Sequence, residues 1–148
     1  MIFLTVLTVL SVGLMIGTEF SVSAFINPIL WQLDEQSRLQ AVRLFAAKLG
    51  RVMPFWYAAN FLFLVIDTIL LRNQPAVLLL ASAAGIWAAL IILSVTFLVP
   101  INNRLAREDA ALSIDQAHHR HLKWDAVHRV RVAGLAAAFV LLLAGLHC

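Results

Sequence analysis

The sequence predicts an all-α integral membrane protein, a four-helix up-down bundle, and three observations predict it. Of 148 residues, 62% are hydrophobic and only 13% charged, with a mean hydropathy of +0.90. That leaves too little polar surface to cover a soluble globule of this size. The apolar stretches fall at 2–30, 54–71, 75–99 and 130–146, each near the roughly 20 residues a helix needs to cross about 30 Å of hydrocarbon. Ten of the eleven Lys and Arg lie in the first and third connections and their flanks, leaving Arg72 alone in the second. This asymmetry is the signature of a multispanning topology, with the basic side cytoplasmic and both termini outside. The expected compartment is the inner (plasma) membrane of a bacterium.

The helices are expected at about 2–30, 54–71, 75–101 and 124–147, as one domain over 1–148. The first stretch lacks a basic leading region and continues apolar past Gly17, Thr18 and Glu19, so it reads as a retained span rather than a cleaved signal. Residues 32–50 mix Leu33, Leu39, Val42, Leu44, Phe45, Ala46 and Leu49 with charges, which predicts an amphipathic helix at the interface. Gly50 would end it and Pro54 would open the second span in its first turn. The turn Arg72-Asn73-Gln74-Pro75 makes spans two and three antiparallel neighbours. Gly13, Gly17 and Ser21 recur every fourth position, a spacing that allows close approach of another helix, within the chain or in a homo-oligomer.

The net charge of +3 is accounted for by topology signals and anionic headgroups, so nucleic acid is not an expected partner; the bilayer is. The single Cys148 rules out an intramolecular disulfide framework and reads as a free thiol without a role.

Glu19 is the residue that asks for a function. A carboxylate at bilayer depth costs several kcal/mol, about 2.5–3.5 on insertion scales, unless it is partnered. Asn60, Asn102, Asn103 and His128 are expected at the same depth from the other three spans, flanked by Arg129 and Arg131, with Trp56, Tyr57 and Trp124 at that level. Polar groups converging between bundle helices and walled by aromatics form a small-molecule site. Each has a duller reading: Trp31, Trp56, Tyr57 and Trp124 as an interfacial belt, Asn60 as interhelical glue, Arg129 and Arg131 as topology determinants. Asp67, near the outer end of its span, reads as a structural partner of Arg72. His118, His121, Asp125 and His128 are spaced to share one helical face and form a weak candidate metal set. Solvated histidines beside Gln116, Arg120 and Lys123 are the alternative.

The segments Gly17-Thr18-Glu19-Phe20, Val99-Pro100-Ile101-Asn102-Asn103-Arg104 and Trp124-Asp125-Ala126-Val127-His128-Arg129-Val130-Arg131 resemble those of the anthrone-oxygenase-like family of small membrane proteins. The likeness extends over essentially the whole chain. It implies oxidation of polycyclic anthrones to quinones by dioxygen without an obvious added cofactor, with His128, Asn102, Asn103 and Arg131 as site residues. The resulting expectation is a membrane-embedded monooxygenase for a lipophilic anthrone-like or phenolic substrate. His128 or Glu19 would be the base, Asn102 and Asn103 would stabilise the anion, and Asn60, Trp56, Tyr57, Trp124, Arg129 and Arg131 would bind substrate. Two alternatives stand beside it. One is a haem- or metal-binding redox protein using His128 with Glu19 or the histidine face. The other is a non-enzymatic carrier or assembly subunit in which Glu19 pairs with Arg129 or Asn102.

Overall fold

A computed structural model describes residues 2–106 and 114–147; Arg107, one of the ten Lys and Arg of the two basic connections, and Cys148 lie outside the described residues. The described residues are helical, and four helices are long and apolar enough to cross a membrane: Ile2–Leu30, Glu35–Leu70, Val77–Arg104 and His118–Leu146. We number the helices α1, through Ile2–Leu30; α2, Glu35–Leu70; α3, from Val77–Leu93 into Val99–Ala106; and α4, Ile114–Leu146. The start of α1, the turn after α2 and the end of α4 surround one cavity lined by Ile2, Leu71, Ala76 and Leu146. Successive helices therefore alternate in direction.

Two helices run further than the sequence suggested. The amphipathic segment and the second span form one continuous α2, with Gly50 and Pro54 inside it rather than at a boundary. Proline here removes the single N–H that would bond to the Gly50 carbonyl, whereas ending the helix would leave several backbone groups unpaired beside the hydrocarbon. Asp34 caps its start, its carboxylate accepting from the Ser37 N–H at 3.0 Å. Hydrogen bonds from the Ser37 side chain and then from its N–H hold the Asp34 carboxyl below the usual carboxylate range. Helix α4 begins at Ile114 instead of near 124, because its first turns have a partner: His121 stacks on Trp31 and Asp125 accepts from Asn27, both at the end of α1.

Helices α1 and α3 each contain a widened π turn, Val22–Ile26 and Ser94–Leu98. Each is followed two residues later by a proline, Pro28 and Pro100. A proline within a span leaves a carbonyl four residues back without its donor, and an i→i+5 turn is one local adjustment that re-satisfies the backbone. Asn27 N–H bonds to the Val22 carbonyl and Val99 N–H to that of Ser94, both five residues back. Hydroxyls in the spans are satisfied locally, Thr8, Thr18, Ser21, Thr68 and Ser94 each donating to the carbonyl four residues earlier.

The core gathers Val12, Met15, Leu64, Leu80, Trp87, Leu135 and Leu142, all at most 2% exposed. Its closest helix approach is not at the Gly13 and Gly17 stripe. A Cβ placed on Gly134 would stand 2.9 Å from Leu90, and one on Gly145 3.0 Å from Leu80, whereas one on Gly17 meets nothing within 4 Å. The α3–α4 seam is therefore where glycine permits contact. Gly134→Val is expected to lower the thermal unfolding midpoint in detergent through overpacking of about 1–3 kcal/mol, while Gly17→Val leaves it nearly unchanged. Equal shifts would mean that the seam is misplaced.

Candidate functional site

Glu19 faces the interior of the bundle, 3% exposed. Its Oε2 accepts from Arg131 Nη2 at 2.6 Å and its Oε1 from the Tyr57 hydroxyl at 3.0 Å. The carboxylate thus receives a charge-assisted bond and a phenolic one, the kind of partnering that makes a buried charge tolerable. Arg131 is itself 8% exposed; its Nη1 donates to Ser94 Oγ at 3.3 Å and its guanidinium lies 5.3 Å from the centre of the Tyr57 ring. Through these four side chains the node draws on α1, α2, α3 and α4. Tyr57 is fixed in turn, because Trp87 Nε1 donates to its backbone carbonyl at 3.1 Å.

His128 completes the cluster, and its partners assign its tautomer. Nδ1 lies 2.9 Å from Arg131 Nη2, and a guanidinium can only donate, so Nδ1 accepts. Nε2 then carries the hydrogen and donates to the Glu19 backbone carbonyl at 3.2 Å. The approach of 3.3 Å between Nδ1 and Glu19 Oε2 is therefore not an ion pair; the formal pair is Glu19 with Arg131. Trp124 stacks on the imidazole, centroids 4.5 Å apart and 12° from parallel. Both ring nitrogens of His128 are engaged, Nδ1 by Arg131 and Nε2 by the Glu19 carbonyl.

These residues form one wall of a cavity of about 180 Å³. Asn102 and Asn103 line it from α3, and its remaining wall is mostly apolar, including Val22, Met53, Ile91 and Leu98. Both π turns contribute, Val22 opening one and Ser94 the other. Trp124 Nε1 and Arg131 Nε are buried without a hydrogen-bond partner among the described residues. Unmade bonds of this kind cost about 1–3 kcal/mol each. Both nitrogens are covered by neighbouring atoms, so an acceptor reaches them only if the wall shifts.

The structure thus brings together Glu19, Tyr57, Asn102, Asn103, Trp124, His128 and Arg131. Three expected members stand elsewhere. Asn60 is fully buried but bonded away from the cavity: Ser11 Oγ donates to its Oδ1 at 2.6 Å, and its Nδ2 donates to Met15 Sδ at 3.1 Å. Trp56 joins that second cluster by donating from Nε1 to Ser11 Oγ at 3.0 Å. Arg129 is exposed and pairs with Asp125 one turn earlier on its own helix, at 2.9 Å. The depth reading was too coarse to separate these, because a single residue along a helix rotates a side chain by about 100° to another neighbour while hardly changing its depth.

The histidine face does not assemble a ligand set. Asp125 is held by Asn27 at 2.6 Å and by Arg129, His128 by Arg131, and His121 by stacking on Trp31 at 4.7 Å. Among the described residues no three His, Cys, Asp or Glu side chains gather as metal ligands. Trp31 also carries Arg38 over its ring at 4.8 Å, a cation–π contact. Asp67 is 1% exposed and does not pair with Arg72; its Oδ1 accepts from Thr5 Oγ1 at 3.4 Å. Sequence reasoning missed Ser94, and its assembly-subunit alternative offered Arg129 or Asn102 as the partner of Glu19, where the structure has Arg131. The available signals were the three-residue spacing of His128 and Arg131 on one helix face, and the prolines that mark the irregular turns.

Arg131→Met is expected to destabilise the protein by about 3–5 kcal/mol by stranding a buried carboxylate. Adding Glu19→Gln to it is expected to recover part of that loss. Reversible unfolding in mixed micelles checks the cycle, and simple additivity of the two changes would remove the ion pair from the structure.

Residues 41–141 match the family described as anthrone oxygenase. The matched segment contains Tyr57, Ser94, Asn102, Asn103, Trp124, His128 and Arg131 and stops short of Glu19. No curated protein and no solved structure matches the chain. With four helices long and apolar enough to cross a membrane and a match over more than half its length, the chain belongs to the anthrone oxygenase family.

Proposed function

We propose that the protein is a membrane-embedded oxygenase in which Glu19 takes a proton from a lipophilic anthrone-like or phenolic substrate and dioxygen oxidises the resulting anion. The observation that carries this reading is the buried Glu19–Arg131 pair, 2.6 Å apart in the wall of an otherwise largely apolar cavity. In a low-dielectric site, creating a lone charge is prohibitive, but moving one is not. When Glu19 accepts the proton, the negative charge passes to the substrate oxygen and carbon, and the net charge of the site is unchanged. Arg131 and Tyr57, which donate to the carboxylate beforehand, are then free to donate to the enolate.

The chemistry balances on substrate and dioxygen alone. An anthrone methylene loses a proton to Glu19; the carbanion gives one electron to dioxygen, and the radical pair joins to form a carbon–oxygen bond. Protonated Glu19 returns its proton to the outer oxygen, giving a hydroperoxide. Loss of the second methylene proton to Glu19 then breaks the O–O bond. A carbonyl forms, and the departing hydroxide takes that proton and leaves as water. His128 acts as a positioning residue, holding Arg131 against Glu19 while Trp124 holds the imidazole in place. Asn102 and Asn103 lie in the same wall, where their amides can donate to the peroxy anion.

Position in the membrane follows from the charge asymmetry. The site lies at the end of the bundle that carries nine of the ten described Lys and Arg, which supports the reading that it sits in the cytoplasmic leaflet of an inner membrane. Flat aromatic substrates and dioxygen both partition into lipid, so an intramembrane cavity meets them at raised concentration.

Glu19→Gln keeps the shape of the side chain and removes the base. In reconstituted protein it is expected to lower anthrone-dependent oxygen uptake per folded molecule about a hundredfold or more, and to lower the unfolding midpoint as well, because the Arg131 guanidinium is left buried without its counter-charge. His128→Asn is expected to lose considerably less. Near wild-type uptake by Glu19→Gln would reject Glu19 as the base, and loss of the fold would assign it to helix docking instead.

A further inference from the structure

A second, smaller cavity of about 40 Å³ abuts the first, and Val22, Leu49, Asn102 and Trp124 line both. Its own wall is hydrocarbon: Ile26 and Leu30 from the end of α1, Val42 and Ala46 from the amphipathic half of α2. Leu30, Val42 and Ala46 form a small core of their own, each no more than 9% exposed. The two polar groups reaching this wall besides Asn102 and Trp124 are already committed. Asn27 Nδ2 donates to Asp125 Oδ1 at 2.6 Å, and the His121 ring is stacked on Trp31. A charged or strongly polar group would find little to bind here, and small apolar cavities do not hold water well.

We propose that this second cavity is a substituent subsite, which takes a short alkyl group carried on the ring system whose reactive carbon sits at Glu19 and Arg131. The inference rests on the oxygenase reading above and names a feature of its substrate. Its geometry follows from the shared wall. Trp124 is fixed face to face on His128, so it stands as a rigid sill between the ionic node and the hydrocarbon slot. A flat molecule lying against that sill in the larger cavity points its far edge past Val22 and Leu49 into the smaller one. The volume admits a short alkyl group, since about 10–15 Å³ of such space already holds one water-sized group. The preferred substrates are therefore methyl- or ethyl-substituted, oriented so that the polar edge stays at Arg131.

The test uses the full-length protein in lipid nanodiscs, with anthrone and every positional isomer of ring-ethylated anthrone as probes. Binding is read by quenching of tryptophan fluorescence. At least one ethyl isomer is expected to bind the wild type about tenfold tighter than anthrone, each buried methylene contributing roughly fourfold. Ala46→Phe, which fills the slot, is expected to erase that gain and to leave anthrone binding as it was; this also corrects for the greater lipid partitioning of the ethyl compounds. Ala46→Leu, a smaller change, is expected to erase most of the gain and serves if Ala46→Phe folds poorly. No gain for any isomer, or an equal gain in the filled variant, would overturn the subsite while leaving the oxygenase reading intact. Failure of every probe to bind the wild type would overturn both.

Discussion

The structure depends on how a carboxylate is kept charged inside a bilayer. Glu19 would be prohibitive alone, and it is held by a guanidinium at 2.6 Å and a phenol at 3.0 Å that arrive from two other helices. Because Arg131 also binds Ser94, the requirement fixes four helices relative to one another at one level. The rest of the bundle meets less demanding conditions. Apolar side chains face lipid or each other, most serines and threonines donate to their own helix, Ser11 and Thr5 donate across to α2, and glycines admit α3 against α4. Both irregular turns occur at the level of the ionic node, where Val22 and Ser94 belong to the cavity wall. Prolines in a membrane span are tolerated where neighbouring structure re-satisfies the backbone, and here that adjustment coincides with the site.

The node differs from simple helix glue in its surroundings. Asn60, with Ser11, Trp56 and Met15, shows what glue looks like in this protein: a buried polar group whose partners close around it, away from the site cavity. Glu19, His128 and Arg131 instead border open space together with two asparagine side chains. A paired carboxylate beside an apolar hollow can take a proton in and pass its negative charge out to a bound molecule without changing the total charge. That property suits the chemistry proposed for a weakly acidic, lipid-soluble molecule, and the imidazole lone pair is already taken by Arg131.

Much of the fold was legible from the sequence because hydropathy and helix length are one-dimensional properties. The four spans and the short turn between the second and third follow from them directly. The ends of helices were not, because they depend on tertiary partners. Trp31 and Asn27 give the first turns of α4 something to pack on, and hydrocarbon around Pro54 makes continuation of α2 less costly than a break. For the site, depth could be read but direction could not. Glu19, His128 and Tyr57 were placed at one level and do meet, whereas Asn60 and Trp56 turn to Ser11, and Arg129 turns to Asp125. The pairing of Glu19 with Arg131 rather than Arg129 follows from helical phase: residues three apart share the face of His128, and the adjacent residue does not. The π turns change that phase partway along α1 and α3, which no regular repeat in the sequence encodes.

The most direct measurement is the infrared difference spectrum between wild type and Glu19→Gln, recorded before and after adding anthrone without oxygen. The expected result is an ionised carboxylate band assigned to Glu19 before addition, replaced by a protonated carboxyl band as the bound anthrone becomes its enolate. A protonated Glu19 before addition, or a carboxylate band unchanged by bound anthrone, would contradict the exchange of charge on which the proposed chemistry rests.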